Sequence, residues 1–237
     1  MNNQKKKDIS ILLLLILFFL TINYNTFDNS LENFLSSQTT QTIFVDRVID
    51  GDTIVSNGTS IRLLGINTPE REEFLYAEAK TFLESLILNK QVVLEFVGER
   101  QDKYFRTLAY IQSENENINV KIVESGFANP YFYSGKDRYS QAIEDAWEAC
   151  INKEINLCQP SHHPCLSCID INFNSITNTC LFSCNIEGWT IKSEGREKII
   201  FNGTLTPREE EIFDLDLTNS GGSLYLRDDF GLLITKK

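Results

Sequence analysis

The dipeptide Asn57-Gly58 constrains this chain more than any other feature. It lies between Ile54-Val55-Ser56 and Thr59-Ser60-Ile61. Asn-Gly flanked by apolar and β-branched residues favours a two-residue turn with positive φ at both positions, and that turn closes a hairpin. A hairpin here folds two runs toward each other: Asp50-Gly51-Asp52-Thr53 before the first arm, and Arg62-Leu63-Leu64-Gly65-Ile66-Asn67-Thr68-Pro69-Glu70 at the end of the second. Carboxylates from Asp50, Asp52 and Glu70, the amide of Asn67 and the guanidinium of Arg62 then lie close together. Oxygen donors beside a fixed cation suit a hard metal ion facing a phosphate.

Strand-like runs extend on both sides of the hairpin, at residues 42–48, 91–97 and 106–111. Ala79, Phe82, Leu83, Leu86 and Ile87 fall at helical spacing. Val120, Val123 and Phe127 predict a short helix that Gly126 helps to end. Ala142, Ile143, Ala146, Trp147 and Cys150 form a third helical stripe, after an aromatic loop at Asn129-Pro130-Tyr131-Phe132-Tyr133. Five strands and three helices predict a small β-barrel carrying helices.

The 237 residues suffice for one large or two small domains, and the net charge of −11 argues against tight, non-specific nucleic-acid binding. It leaves room for an enzyme that must release its product. Lys5, Lys6 and Lys7 precede an apolar stretch from Ile9 to Ile22, and residues 23–41 are a polar linker. That pattern predicts an export signal or an anchor tethering the chain to a membrane, with release or retention left open. Six cysteines agree with export. They support two arrangements: disulfides, or a zinc site at Cys165-x-x-Cys168 and Cys180-x3-Cys184. His162 and His163 are expected in an exposed loop. Beyond about residue 158, short strand-like runs separated by Gly, Asn and Pro predict an all-β second domain, a sandwich.

Residues 42–158 resemble the staphylococcal nuclease (thermonuclease) family. The runs that carry the resemblance are Ile49-Asp50-Gly51-Asp52-Thr53, Arg62 to Glu70 and Asp102-Lys103-Tyr104-Phe105-Arg106, then Leu108-Ala109-Tyr110-Ile111 and Gly126-Phe127-Ala128. The resemblance implies an OB-type five-stranded barrel with three helices and a Ca2+-dependent phosphodiesterase acting on DNA or RNA. By position it implies metal ligation by Asp52, Asn67 and the Thr68 backbone carbonyl. It gives Glu70 the attacking water, and Arg62 and Arg106 the phosphate. Lys103, Tyr104, Tyr131 and Tyr133 fall where the family contacts the nucleotide.

Two positions depart from the family pattern. Asn67 replaces a carboxylate ligand, which removes one negative charge, and ligand charge count tunes calcium affinity. Phe105 replaces the glycine before the second arginine, where a positive φ would strain it. Residues 168–237 more loosely resemble the lamin-tail type of immunoglobulin-like sandwich, through Ile186-Glu187-Gly188-Trp189-Thr190-Ile191, Phe201-Asn202-Gly203-Thr204-Leu205 and the run from Ser220 to Gly231. The expected division is thus a leader and linker over 1–41, a nuclease-like domain over 42–158, and a cysteine-rich linker and sandwich over 159–237. Two other functions compete: a barrel that binds nucleic acid without cutting it, and surface attachment led by the C-terminal part. No protein partner is evident from the sequence.

Overall fold

The run at 42–48 does not form one strand. The computed structural model, which describes residues 39–132, 135–193, 197–215 and 223–236, divides it into β1 (Thr40–Phe44) and β2 (Arg47–Asp50). At the bend, Val45 donates its N–H to the Lys90 carbonyl (3.0 Å) and accepts from Asn89 N–H (3.1 Å), while Asp46 N–H turns to the Val55 carbonyl (2.9 Å). One apolar run therefore serves both ends of a sheet. The other members are β3 (Thr53–Ser56), β4 (Thr59–Leu63), β6 (Gln91–Glu95) and β7 (Thr107–Ser113). Their order is β1-β6-β7-β4-β3-β2, with β8 (Glu116–Asn117) on β7. β1 and β2 end that path on opposite sides, yet only Val45 and Asp46 separate them. Such a link reaches about 10 Å, whereas a flat sheet of this width would hold its edges roughly 24 Å apart. The sheet must curl back on itself, as an OB-type barrel does.

The hairpin forms where the sequence places it: Ser56 pairs with Thr59, and Asn57 and Gly58 take φ of 45° and 76°. Among the described residues three helices cover the sheet. In α1 (Tyr76–Ile87), Ala79, Leu83 and Ile87 are buried one turn apart. α2 (Ile118–Glu124) starts at Asn117, whose side chain accepts from Val120 N–H. α3 (Ser140–Lys153) buries Ile143, Ala146, Trp147 and Cys150. Apolar side chains from these helices and from the strands form one core with Val48, Ile54, Ile61, Leu63, Ala109 and Ile111. β5 (Ile66–Asn67) pairs with β9 (Asn129–Pro130), Asn67 lying opposite Asn129.

A second core follows residue 158. The strands β10 (Ile169–Asn172), β11 (Ser175–Asn178) and β16 (Glu210–Ile212) make one sheet. A second has the order β14-β13-β17-β18, from Lys198–Ile200, Thr190–Ser193, Leu224–Arg227 and Leu233–Lys236. A small pair, β12 (Cys184–Asn185) with β15 (Thr204–Leu205), completes it. Ile169, Ile171 and Ile176 from one sheet share a buried cluster with Ile191, Leu224, Leu226 and Ile234 from the other, around Trp189.

All six cysteines pair: Cys150–Cys158, Cys165–Cys184 and Cys168–Cys180. Their sulfurs are thereby spent, which removes the zinc arrangement. His162 is exposed, but His163 is half-buried, its ring set edge-on to Trp189 at 4.8 Å.

Residues 42–237 form one compact unit. Tyr225 and Leu233 belong to the first core rather than the second, and the Tyr225 ring meets Trp147 edge-on at 5.4 Å. Among the described residues no helix is long and apolar enough to cross a membrane. The apolar stretch from Ile9 to Ile22, read as signal or tether, lies outside the described residues.

Candidate active site

The turn from β2 to β3 brings Asp50, Gly51 and Asp52 against the segment that follows β5. Asp50 Oδ1 accepts from Asp52 N–H at 3.1 Å, a local bond that shapes the turn. A Cβ at Gly51 would lie 2.8 Å from Thr68 Cγ2 and 2.9 Å from Ala79 Cβ, so the approach admits only glycine. That approach lets Asp52 clasp the next segment. Its Oδ2 accepts from the N–H and the hydroxyl of Thr68, each at 2.9 Å, and faces Arg62 Nη2 at 3.1 Å. Its Oδ1 accepts from the Thr53 hydroxyl at 3.1 Å.

Arg62 crosses the same nest. Nη1 donates to the Leu63 carbonyl (2.6 Å), and Nη2 donates to the Ile66 carbonyl (2.8 Å) and to Asn67 Oδ1 (3.2 Å). Asp52, Arg62, Asn67 and Thr68 are all buried, so their mutual bonds act in a low-dielectric setting where each counts for more. Burial first, and then the charge of Asp52, push the carboxyl of Asp50 up to about 6. The oxygens gathered here belong to the Asp52 and Asp50 carboxylates and the Asn67 amide. Those hard oxygens fit calcium.

Glu70 is half-buried two residues further on. Its backbone is held reciprocally by Glu73: Glu70 N–H donates to Glu73 Oε2 at 2.8 Å, and Glu73 N–H donates to the Glu70 carbonyl at 2.9 Å. Glu73 lies outside every run that carries the family resemblance. The signal was available in the three-residue spacing, the one at which a capping-box carboxylate reaches back to a backbone N–H.

Arg106 stands just before β7. The parallel register of β4 and β7, Ile61 opposite Thr107 and Arg62 opposite Leu108, places it alongside the strand that carries Arg62. Its Nε donates to Asp102 Oδ2 at 2.7 Å, and its N–H to Asp102 Oδ1 at 3.0 Å. Partial burial alone would raise Asp102, but the bonds from Arg106 and Tyr104 and the Arg106 charge outweigh it and hold the carboxyl below its usual range. Tyr104 is exposed, with Lys103 Nζ 5.2 Å and Arg106 Cζ 5.6 Å from its ring centroid. Phe105 takes φ of 62° and is 82 % exposed. Tyr131 is attached to the site by its backbone, whose N–H donates to the Gly65 carbonyl at 2.8 Å. Tyr133 lies outside the described residues.

The Staphylococcal nuclease homologue family matches residues 60–158. The thermonuclease of Staphylococcus intermedius is 36 % identical over 127 residues, which cover 49 % of this chain and 76 % of that protein. The thermonuclease of Staphylococcus hyicus is 35 % identical over 122 residues, 47 % of this chain and 72 % of its own. This chain belongs to the staphylococcal nuclease family. An uncharacterised endonuclease of Haemophilus influenzae is also similar, at 34 % identity over 116 residues, covering 46 % of this chain and 64 % of that protein. The staphylococcal nuclease match ends at residue 158, and the second core draws only on residues from Cys165 onward.

Proposed function

We propose that the chain is an exported, calcium-dependent nuclease that hydrolyses phosphodiester bonds of DNA or RNA at the site built by Asp52, Arg62, Asn67, Thr68, Glu70 and Arg106. Its class, a phosphodiesterase of the endonuclease kind, comes with the family. The metal, the residue roles and the location are the proposal. The observation that carries it is the buried nest in which Asp52 joins Thr68 and Arg62 while Arg62 reaches Asn67.

Asp52, Asn67 and the Thr68 carbonyl would hold the ion. Calcium, when bound, supplies a Lewis acid that polarises a phosphoryl oxygen. Glu70 orients the attacking water and takes its proton as general base. Arg106 donates to the non-bridging oxygens from the rim, with the two-pronged geometry that lysine lacks. Arg62 joins it by exchanging one of its protein acceptors for a phosphate oxygen. Lys103 and Tyr104, beside Arg106, contact the neighbouring nucleotide. Tyr131 and Tyr133 line or stack on the terminal base. Because Asn67 brings no charge, half-maximal activity should need more calcium than in a relative with a carboxylate there.

Calcium-titrated digestion of labelled single-stranded DNA and RNA, with a chelator control, tests the reading. Full activity in excess chelator would remove the metal role. Near-normal turnover by Glu70→Gln would remove Glu70 as base.

Residues 159–237 we read as a cysteine-rich linker and, from about residue 168, a lamin-tail type of immunoglobulin-like sandwich without chemistry of its own. What supports this is a pair of sheets sharing one core around Trp189. Export is supported by the pairing of all six cysteines, since such bonds persist in oxidising compartments. Isolation of the chain from culture medium or from washed cells would separate release from retention by the N-terminal apolar stretch.

A further inference from the structure

Glu73 has two other partners, both from the far end of the chain. Lys192 Nζ, on β13, lies 2.7 Å from Glu73 Oε2, and Lys198 Nζ, on β14, lies 3.1 Å from Oε1. The Lys192 pair is the more enclosed, its side chains 13 % and 18 % exposed. Oε2 is also the atom that accepts Glu70 N–H. Burial alone would raise Glu73, but the charge and hydrogen bond of Lys192, the N–H of Glu70 and the bond from Lys198 together hold it below the ordinary glutamate range.

The same part of the chain grips this segment at its next residue. Gly231 takes φ of +82°, and a Cβ there would lie 2.6 Å from Phe74 Cβ, so only glycine permits that contact. It also reaches the other side of the site. Arg227 Nη2 donates to Asn129 Oδ1 at 3.2 Å, and Asn129 pairs with Asn67. Arg227 is fastened by bonds from Nη1 to the carbonyls of Leu157 (2.5 Å) and Gly231 (3.2 Å). Residues 192, 198 and 227 all lie outside the stretch that matches the nuclease family.

We propose that Lys192 is a positioning residue for Glu70: acting through Glu73, the C-terminal sheet fixes the backbone of the segment that carries the general base. The inference rests on the nuclease reading, because it assigns the C-terminal part a role in that reaction. A carboxylate that must meet a water within hydrogen-bond reach tolerates little displacement, and a shift of about 1 Å can cost up to 10²-fold in rate. Lys198, being more exposed, contributes less by the same route.

The full chain tests this with Lys192→Met, Lys192→Arg and Lys198→Met, and with Ile176→Val as a control that loosens the second core away from the contact. Lys192→Met should lower kcat about tenfold with KM little changed. Lys192→Arg should restore it, Lys198→Met should fall between, and Ile176→Val should leave kcat intact. Exchange of the Glu70 backbone amide, followed by NMR, should quicken in Lys192→Met and not in Ile176→Val. An unchanged kcat and amide in Lys192→Met, or an equal loss of kcat in Ile176→Val, would overturn the inference. A wild-type chain without nuclease activity would sink the functional reading instead, and the amide exchange would still decide whether Lys192 holds the segment. Should Lys192→Met fail to fold, the same two readouts on Lys198→Met decide.

Discussion

Arg62 on β4 and Arg106, just before the neighbouring β7, are held in opposite ways. Arg62 is 8 % exposed, and its Nη atoms reach the carbonyls of Leu63 and Ile66, the Asn67 amide and the Asp52 carboxylate. Arg106 is tethered through Nε and N–H to one carboxylate, Asp102, in a turn whose apex is the exposed pair Tyr104 and Phe105. The first arrangement stores order in a buried network, where removing one member leaves others unsatisfied. The second keeps a guanidinium at the rim at little cost to the fold. Under the proposed function, this divides the labour between a rigid interior that would hold the ion and a loosely supported arginine that would meet substrate.

The sharpest way to break that contrast is Asp52→Ala. It strands the Arg62 guanidinium and the Thr68 N–H inside the protein, and uncompensated buried charge costs about 3–5 kcal/mol. Urea unfolding should show that loss, and digestion should vanish. A loss below about 1 kcal/mol would mean that the nest is not cohesive. Arg106→Ala should show the reverse balance: a stability change within about 1 kcal/mol, as for a partly exposed ion pair, and a fall in turnover of about 10²–10³. Equal effects on stability from Asp52→Ala and Arg106→Ala would erase the distinction.

What the sequence shows of this arrangement is what local patterns can carry. Asn57-Gly58 announces the hairpin because the turn's backbone twist demands positive φ. The Ala79, Leu83, Ile87 stripe announces α1 because burial repeats with the helical turn. Asp52 and Arg62 fall together because the hairpin sets Thr53 opposite Arg62, and Asn67 and Thr68 follow Arg62 in the same short run. Glu73 and Lys192 are 119 positions apart, and Arg227 is 98 from Asn129. Each such pair joins residues that, read alone, are ordinary surface charges or polar groups. Only the docking of the second core on the first gives them meaning, and no periodicity encodes it. The bend at Val45 escaped for a related reason: the strand pattern runs through it unbroken, and only the bonds to Asn89 and Lys90 reveal the break.

A smaller effect separates the interior from the rim by pH. Glu73 is held below the ordinary glutamate range, so its contribution to stability is full above that range and is lost as pH falls through its lowered value. Melting temperature followed from about pH 6 down to about pH 3 should therefore decline less steeply in Glu73→Gln than in the wild type. The wild type should hold its advantage at the upper end and lose it at the lower. Parallel curves would mean that Glu73 titrates alike in the folded and unfolded chain.

The smallest expected change concerns Phe105. Its φ of 62° is a conformation that glycine adopts freely and that costs an L-residue about 1–2 kcal/mol. At 82 % exposure the ring recovers little by burial. The backbone needs this shape, because it closes the turn in which Phe105 N–H meets the Asp102 carbonyl (3.0 Å) and Arg106 N–H meets Asp102 Oδ1 (3.0 Å). Phe105→Gly relieves the strain but gives the unfolded chain more freedom, which takes back about 0.5–1 kcal/mol. The net gain should be about 0.5–1 kcal/mol, read as a higher urea midpoint with an unchanged slope, and the digestion rate should not alter. A lower midpoint would show that the exposed ring makes a stabilising contact worth more than the strain it imposes, and the rim would then be less loosely built than its exposure suggests.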